Sequence, residues 1–314
     1  MSPDSYDPAA FVSIAAVERD TGIGKDTLRV WERRYGFPRP ERDAQGERLY
    51  PQDQVEQLRH IRRLMDVGYR PGKIVGLAMP QLVELSQNHA PMALARESLL
   101  EGDVDLLALL EAVRAHDAMA LRKRCAQEVL HRGLGRFILQ VAVPLCQAVG
   151  QAWARGELAV FEEHLCSESL ETVLRAAMSG LSDGALVRPP KVLLTTLPTE
   201  LHGLGLLMAQ ALFLMQGCTC LSLGTQLPVP ELVQAARAQG TDIVVLSFSA
   251  AHPAQQVLDG MEAVRGLLPA ACEVWVGCAQ PVVKRRGVPG VQVFEQLESI
   301  EPAVQRWRAL HGAT

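Results

Sequence analysis

From residue 190 onward, short apolar runs alternate with helix-length segments, and this alternation leaves the chain few ways to fold. The runs fall at 191–196 (KVLLTT), 219–223 (TCLSL), 243–249 (IVVLSFS), 273–276 (EVWV) and 291–294 (VQVF). Near-continuous apolar runs of this length fit strands buried on both faces, and strands separated by helices build a parallel sheet covered on both sides. The expectation for 190–314 is a Rossmann-like (flavodoxin-like) domain. No G-x-G-x-x-G opens its first helix and no G-x-x-x-x-G-K-[ST] occurs, so the usual nucleotide sites are not indicated.

The loop after the first run, Thr196-Leu-Pro-Thr-Glu-Leu-His-Gly-Leu-Gly205, precedes an apolar helical segment at 204–216. It therefore sits at the carboxyl end of a strand, where open α/β sheets bind ligands. Glu200-x-His202 is suited to present one ring nitrogen outward while the carboxylate orients the ring, and Gly203 and Gly205 allow close approach to the backbone. On spacing alone, a strand-to-helix turn with a surface histidine explains the same residues more economically.

Residues 92–189 show no strand alternation. Apolar positions recur at three and four, with breaks at Gly102-Asp103, His116-Asp117, Gly133 and Gly156, which predicts a bundle of four or five helices. Trp153 and the pair Glu163-His164 fall on neighbouring helices across the break at Gly156 and are candidates to face one pocket; a core tryptophan beside a satisfied histidine is the plainer alternative. Residues 80–91, bounded by Pro80 and Pro91, read as a linker.

The first 79 residues differ in charge. From Arg19 to Lys73 there are 13 Lys/Arg against 9 Asp/Glu, so this stretch carries +4 in a chain of net −4, on a body of −8. Ser13 is a plausible N-cap for a helix at 13–20, Thr21-Gly-Ile-Gly24 turns, and 25–35 forms a second helix. Leu28, Trp31 and Tyr35 share one face of it; Lys25, Arg29 and Arg33 share another, with Arg34 beside them. A hairpin at 42–50 turning at Gly46 would then act as a wing, with Arg42, Arg48 and Tyr50 reaching a sugar-phosphate backbone. Charge alone is equally served by a small helical domain with a solvated basic face.

The chain has 314 residues, 48% hydrophobic and 21% charged, enough for two or three domains with real cores. No run of about 18 uncharged apolar residues and no signal-peptide pattern appears, so a cytoplasmic protein is expected. The seven cysteines are odd in number, mostly in apolar segments, and form no pair of C-x-x-C knuckles.

The run T-L-R-x-W-E-R-R-Y-G-x-P-x-P-x-R at 27–42, followed by G-x-R-x-Y at 46–50, resembles the winged helix-turn-helix domain of MerR-type transcriptional regulators. The resemblance implies a dimer on a double-stranded operator, with Lys25, Arg29, Arg33, Arg34, Arg42, Arg48 and Tyr50 as DNA-binding residues and RNA polymerase as a further partner. Glu200-x-His202-x-x-Gly205, Ser247-x-Ser249 and Gly277 resemble the corrinoid-binding motif of cobalamin domains. That resemblance implies His202 as lower ligand to cobalt, with Glu200, Gly205, Ser247, Ser249 and Gly277 around it and the nucleotide tail beside the serines and glycines. Trp153 followed by Glu163-His164 resembles the segment with which the CarH/LitR group of MerR-type regulators covers the upper face and its adenosyl group.

Taken together, the resemblance implies a multidomain α and α/β protein, not an enzyme. The head (1–79) binds DNA, the linker is 80–91, the bundle (92–189) caps the cofactor, and 190–314 binds cobalamin. The function implied is a repressor, oligomeric as dimer or tetramer, controlled by adenosylcobalamin and acting as a photoreceptor. Three departures stand out. Glu200 stands where most such domains have Asp. Cys278 replaces the second glycine of a pair, with a side chain expected to crowd the tail. Ala154 follows Trp153 where some light-sensing members have a histidine, so a bis-histidine state is not expected. A cofactor-independent regulator resembling MlrA-type activators, a corrinoid-dependent methyltransferase or mutase component, and a haem- or bilin-binding regulator are the alternatives.

Overall fold

The computed structural model describes residues 11–312 except 44, 67–68, 89–104, 182–187 and 251. Two compact units result. The first takes Met1–Ala93 together with Gln151–Leu158, the second Leu94–Gly150 with Ala159–Thr314. The break expected at Gly102-Asp103 lies outside the described residues.

In the first unit, β1 (Phe11–Ser13) leads into α1 (Ile14–Thr21), whose amino end is capped by Ser13 Oγ accepting from Ala16 N. Gly22 ends α1 in the left-handed region (φ 67°), returning its N–H to the Glu18 carbonyl, and α2 (Lys25–Tyr35) follows. β2 (Glu41–Arg42) and β3 (Arg48–Pro51) make the hairpin, and β3 lies between β1 and β2 in an antiparallel sheet. α3 (Gln52–Asp66), α4 (Pro71–Ile74) and α5 (Met79–Asn88) complete the fold. Val17, Leu28, Trp31, Tyr50, Leu58, Ile61, Ile74 and Leu82 form one core.

Leu82 in that core corrects the linker expectation over 80–88, while residues 89–91 of it lie outside the described residues. Helix α5 begins before Pro80 and packs on the head, because a proline in the first turn of a helix costs no hydrogen bond.

The second unit opens with the bundle: α6 (Leu106–Arg114), α7 (Ala118–Arg132), α8 (Leu134–Phe137), α9 (Val143–Ala154, whose last turn from Gln151 groups with the first unit) and α10 (Val160–Ser179). Asp105 and Asp117 cap α6 and α7 through Ala108 N and Ala120 N. A π-turn, Ile138–Ala142, joins α8 to α9. Pro144 lacks the N–H that an α-helix would direct to the Gln140 carbonyl, and the wider turn absorbs the mismatch. Among the described residues Leu134–Ala154 is long and apolar enough to cross a membrane by length and composition. Its Phe137, Ile138, Val141, Ala142 and Leu145 are fully buried, as in the central helix of a bundle.

The α/β part follows the predicted alternation: β4 (Arg188–Thr195), α11 (Leu204–Met215), β5 (Cys218–Ser222), α12 (Val229–Gln239), β6 (Ile243–Phe248), α13 (Ala254–Leu267), β7 (Glu273–Cys278), α14 (Pro281–Arg286), β8 (Val291–Phe294) and α15 (Ile300–His311). All five strands are parallel, in the order β5-β4-β6-β7-β8. This is the flavodoxin-like winding, whose direction reverses between β4 and β6. Leu193, Val244, Leu246, Val274 and Val276 pack on one face with α12 and α13; Val192, Leu194, Val245 and Trp275 pack on the other with α11 and α15.

Candidate cofactor site and nucleic-acid interface

The loop between β4 and α11 emerges at that reversal. Thr196 Oγ1 donates to the Glu200 carbonyl at 2.7 Å and accepts from Gln226 N at 2.9 Å, fixing the loop against the one after β5. Thr199 turns the chain with φ 75°, which drives the Glu200 side chain inward until only 1% of it is exposed. One oxygen, Oε1, accepts the His202 backbone N–H at 2.9 Å and lies 2.7 Å from Nδ1 of the same residue. The other, Oε2, accepts from Ser249 N at 2.8 Å and Ser249 Oγ at 2.9 Å.

Burial would push this carboxyl up, but the hydrogen bonds from His202 and Ser249 outweigh it and hold the pKa at about 2. The carboxylate therefore draws the His202 ring proton to Nδ1 and turns Nε2 into the potential metal ligand, on a side chain that is 65% exposed.

The remaining motif residues fall around this pair. Ser247 and Gly277 are register neighbours on β6 and β7, on the face covered by α11. A Cβ on Gly205 would stand 3.3 Å from Ser247 Oγ, so α11 approaches the strand as closely as a glycine permits. At Gly277 a Cβ would meet nothing nearer than the Leu246 carbonyl at 3.9 Å, leaving room for a flat group above the sheet. An oriented imidazole and an open glycine on one sheet end fit a corrinoid whose tail enters beside the strands. Ser249 belongs to the carboxylate instead of the tail slot.

Cys278 does not occupy that slot, contrary to the expectation from its position. It pairs in register with Phe248 and is 3% exposed on the opposite face, among Val276 and Val283. Sequence reasoning also missed His252, a buried ring 5.3 Å from Phe248 whose Nδ1 is 3.5 Å from Glu200 Oε2. Burial lowers its pKa more than the Glu200 charge raises it. No spacing rule points to this histidine; only the fold brings it to the carboxylate.

The upper-face candidates fall in different units. Trp153 groups with the head, where the Arg63 guanidinium lies 5.8 Å from its ring centroid. Glu163 and His164 begin α10 in the second unit; Glu163 accepts from Ser167 Oγ at 2.7 Å, and His164 Nδ1 lies 3.4 Å from Glu163 Oε2. Ala154, after Trp153, is buried.

On the head, Arg33 and Arg34 are exposed on α2, with Arg34 stacked 5.4 Å over the Tyr35 ring. Lys25 is tied back to Glu18, Arg29 to Asp26, and Arg42 braces the hairpin by donating to the Gly46 carbonyl at 2.8 Å. One expected DNA contact is corrected and another is tied back to the helix. Arg48 donates to Glu32 at 2.8 Å, and Tyr50 is 0% exposed within the core. Period-two alternation puts both on the face of β3 that turns toward α2, so they hold the wing to the helix instead of facing outward.

Residues 12–78 match the MerR HTH family of regulatory proteins, and residues 106–177 match the B12 binding domain. The chain is 30% identical over 260 residues to the HTH-type transcriptional repressor CarH of Myxococcus xanthus, spanning 82% of this chain and 85% of that protein. It is 29% identical over 302 residues to the repressor CarA of the same organism, spanning 96% and 97%. Among solved structures, the monomethylamine corrinoid protein of Methanosarcina barkeri aligns with 63% of this chain and 96% of its own at TM-score 0.49 and 14% identity. The chain belongs to the MerR-type transcriptional regulators that carry a B12 binding domain, the family of CarH and CarA, and is a DNA-binding regulator and not an enzyme.

Proposed function

We propose that this regulator is a repressor whose self-association and operator affinity are set by adenosylcobalamin, with light as a second input. The observation that carries the reading is the Glu200–His202 pair: a buried carboxylate 2.7 Å from Nδ1 of an exposed imidazole at the carboxyl end of the parallel sheet. When bound, adenosylcobalamin supplies a cobalt centre that an imidazole can ligate and a light-sensitive bond to its adenosyl group. His202 Nε2 would hold the metal, Glu200 and Ser249 would keep the ring oriented, and Ser247, Gly205 and Gly277 would flank the tail. Trp153, Glu163 and His164 keep the upper-face role that the family resemblance gives them.

Regulation then follows from linkage. A ligand that binds one conformational state more tightly raises its population, and if that state self-associates, several heads engage one operator with added avidity. The partners this implies are double-stranded DNA, further copies of the chain and RNA polymerase, in the cytoplasm.

The test mixes apo-protein with adenosylcobalamin in the dark, records visible spectrum, oligomer mass and operator affinity, then illuminates. A histidine-ligated spectrum that His202→Ala abolishes, with larger assemblies in the dark than in the light, is the expected result. An unaltered spectrum with the unmutated protein would favour a cofactor-independent regulator on the same fold.

A further inference from the structure

Two residues before Gly277, on the same face of β7, stands Trp275. Its partner in register is Val245, as Ser247 is the partner of Gly277, so the indole lies directly beneath the open glycine position along the strand direction. It is 2% exposed and wedged between Phe213, 6.0 Å away by ring centroids, and Phe294, 5.2 Å away. Its Nε1 donates to Glu273 Oε2 at 2.7 Å, which anchors the ring toward the amino end of the strand. The layer between the sheet and α11 is thus open at Gly277 and filled at Trp275.

We propose that Trp275 is the floor of the tail slot and decides which corrinoids the site accepts by limiting how deep their lower base can enter. The inference rests on the cobalamin reading above. Two residues of strand span about 7 Å, roughly one fused two-ring base, so a dimethylbenzimidazole tail entering beside Ser247 and Gly277 meets the indole as soon as it is inserted. A close-packed floor does not yield without cost. A corrinoid with no nucleotide tail never touches it. The site therefore gains little from the bulky tail.

Full-length apo-protein is titrated in the dark with cobalamin and with cobinamide, which lacks the tail, both in the same upper-ligand state and both followed by absorbance. The unmutated protein is expected to bind the two within about threefold of each other, and Trp275→Val to favour cobalamin by about tenfold while cobinamide affinity stays put, the scale of one good apolar contact in a pocket. Trp275→Phe keeps an aromatic against Phe213 and Phe294 and is expected to fall between, which preserves the test should the valine variant melt below assay temperature. A preference above about tenfold for cobalamin in the unmutated protein, or a ratio that neither variant moves, overturns the inference alone. Failure of both corrinoids to bind the unmutated protein overturns the cobalamin reading and this inference with it.

Discussion

Glu200 grips His202 twice through a single oxygen, Oε1, which accepts the backbone N–H at 2.9 Å and faces Nδ1 at 2.7 Å. A carboxylate on a shorter side chain would start from the same backbone position and reach less far into the sheet end. The extra methylene lets Oε2 reach Ser249, just past the end of β6, while Oε1 stays with the histidine. The glutamate thus ties the metal-ligand candidate to β6 as well as to its own loop.

Removing that tie has two separable effects. Glu200→Ala leaves the Ser249 N–H buried without its acceptor, at a cost of about 1–3 kcal/mol in folding stability, and releases the His202 ring, with cobalamin affinity expected to fall by about 10–100-fold. Glu200→Gln retains one acceptor oxygen and should lie between. Thermal denaturation and dark titrations of the apo-protein read the two effects independently; a Glu200→Ala variant with unchanged affinity would remove the carboxylate from the site.

On the head, exposed and tied arginines should respond differently. Arg33→Ala removes a charge exposed on α2 and is expected to weaken operator binding and flatten its salt dependence by about one unit of slope. Arg48→Ala breaks the pair with Glu32 and should lower the head's melting temperature with little change in slope. Fluorescence anisotropy across a potassium chloride series separates them. A slope change for Arg48→Ala as large as for Arg33→Ala would put Arg48 back on the DNA.

The five strands are legible in the sequence because a strand buried on both faces must be apolar along its whole length, and few other segments of this chain are. Pro80 misleads, since a proline marks a hinge and a helical first turn equally well, and only Leu82 in the head core decides between them. Arg48 and Tyr50 show the same limit: their pattern fixes that they share a face, while the position of Glu32 on α2 fixes which way it turns. Cys278 is the instructive case. Alternation along β7 already places it opposite Gly277, so its position on the far face of the sheet was available from parity alone. His252 was not, because it meets Glu200 only through the packing of the loop after β6.

The bundle carries a pH signature of its own. Burial, with the Glu128 charge adding to it, pushes the Cys125 thiol from 9.0 up to about 12, and burial likewise raises Cys166. A thiol whose folded pKa exceeds its unfolded value contributes stability that is complete below pH 9.0 and is lost as pH rises toward about 12. Chemical denaturation of the apo-protein should therefore show stability declining above pH 9, and iodoacetamide at pH 8 should label neither residue until the chain unfolds. Rapid labelling of Cys125 in the native protein would show that the bundle opens there.

Cys278 and Gly277 supply a paired test of the sheet faces. Cys278→Gly removes a buried group beside Phe248 and is expected to cost about 1–2 kcal/mol of stability without tightening cobalamin binding, because the side chain is on the far side of the sheet from the slot. Gly277→Ala adds a Cβ beside Ser247 that meets nothing nearer than the Leu246 carbonyl at 3.9 Å, so stability should change little, and it should weaken cobalamin binding by about tenfold while sparing cobinamide. Denaturation curves and titrations with both corrinoids check the pair. If Cys278→Gly instead tightened cobalamin binding, the tail would have to run on the Phe248 face, and the roles assigned to Ser247, Gly277 and Trp275 would all move with it.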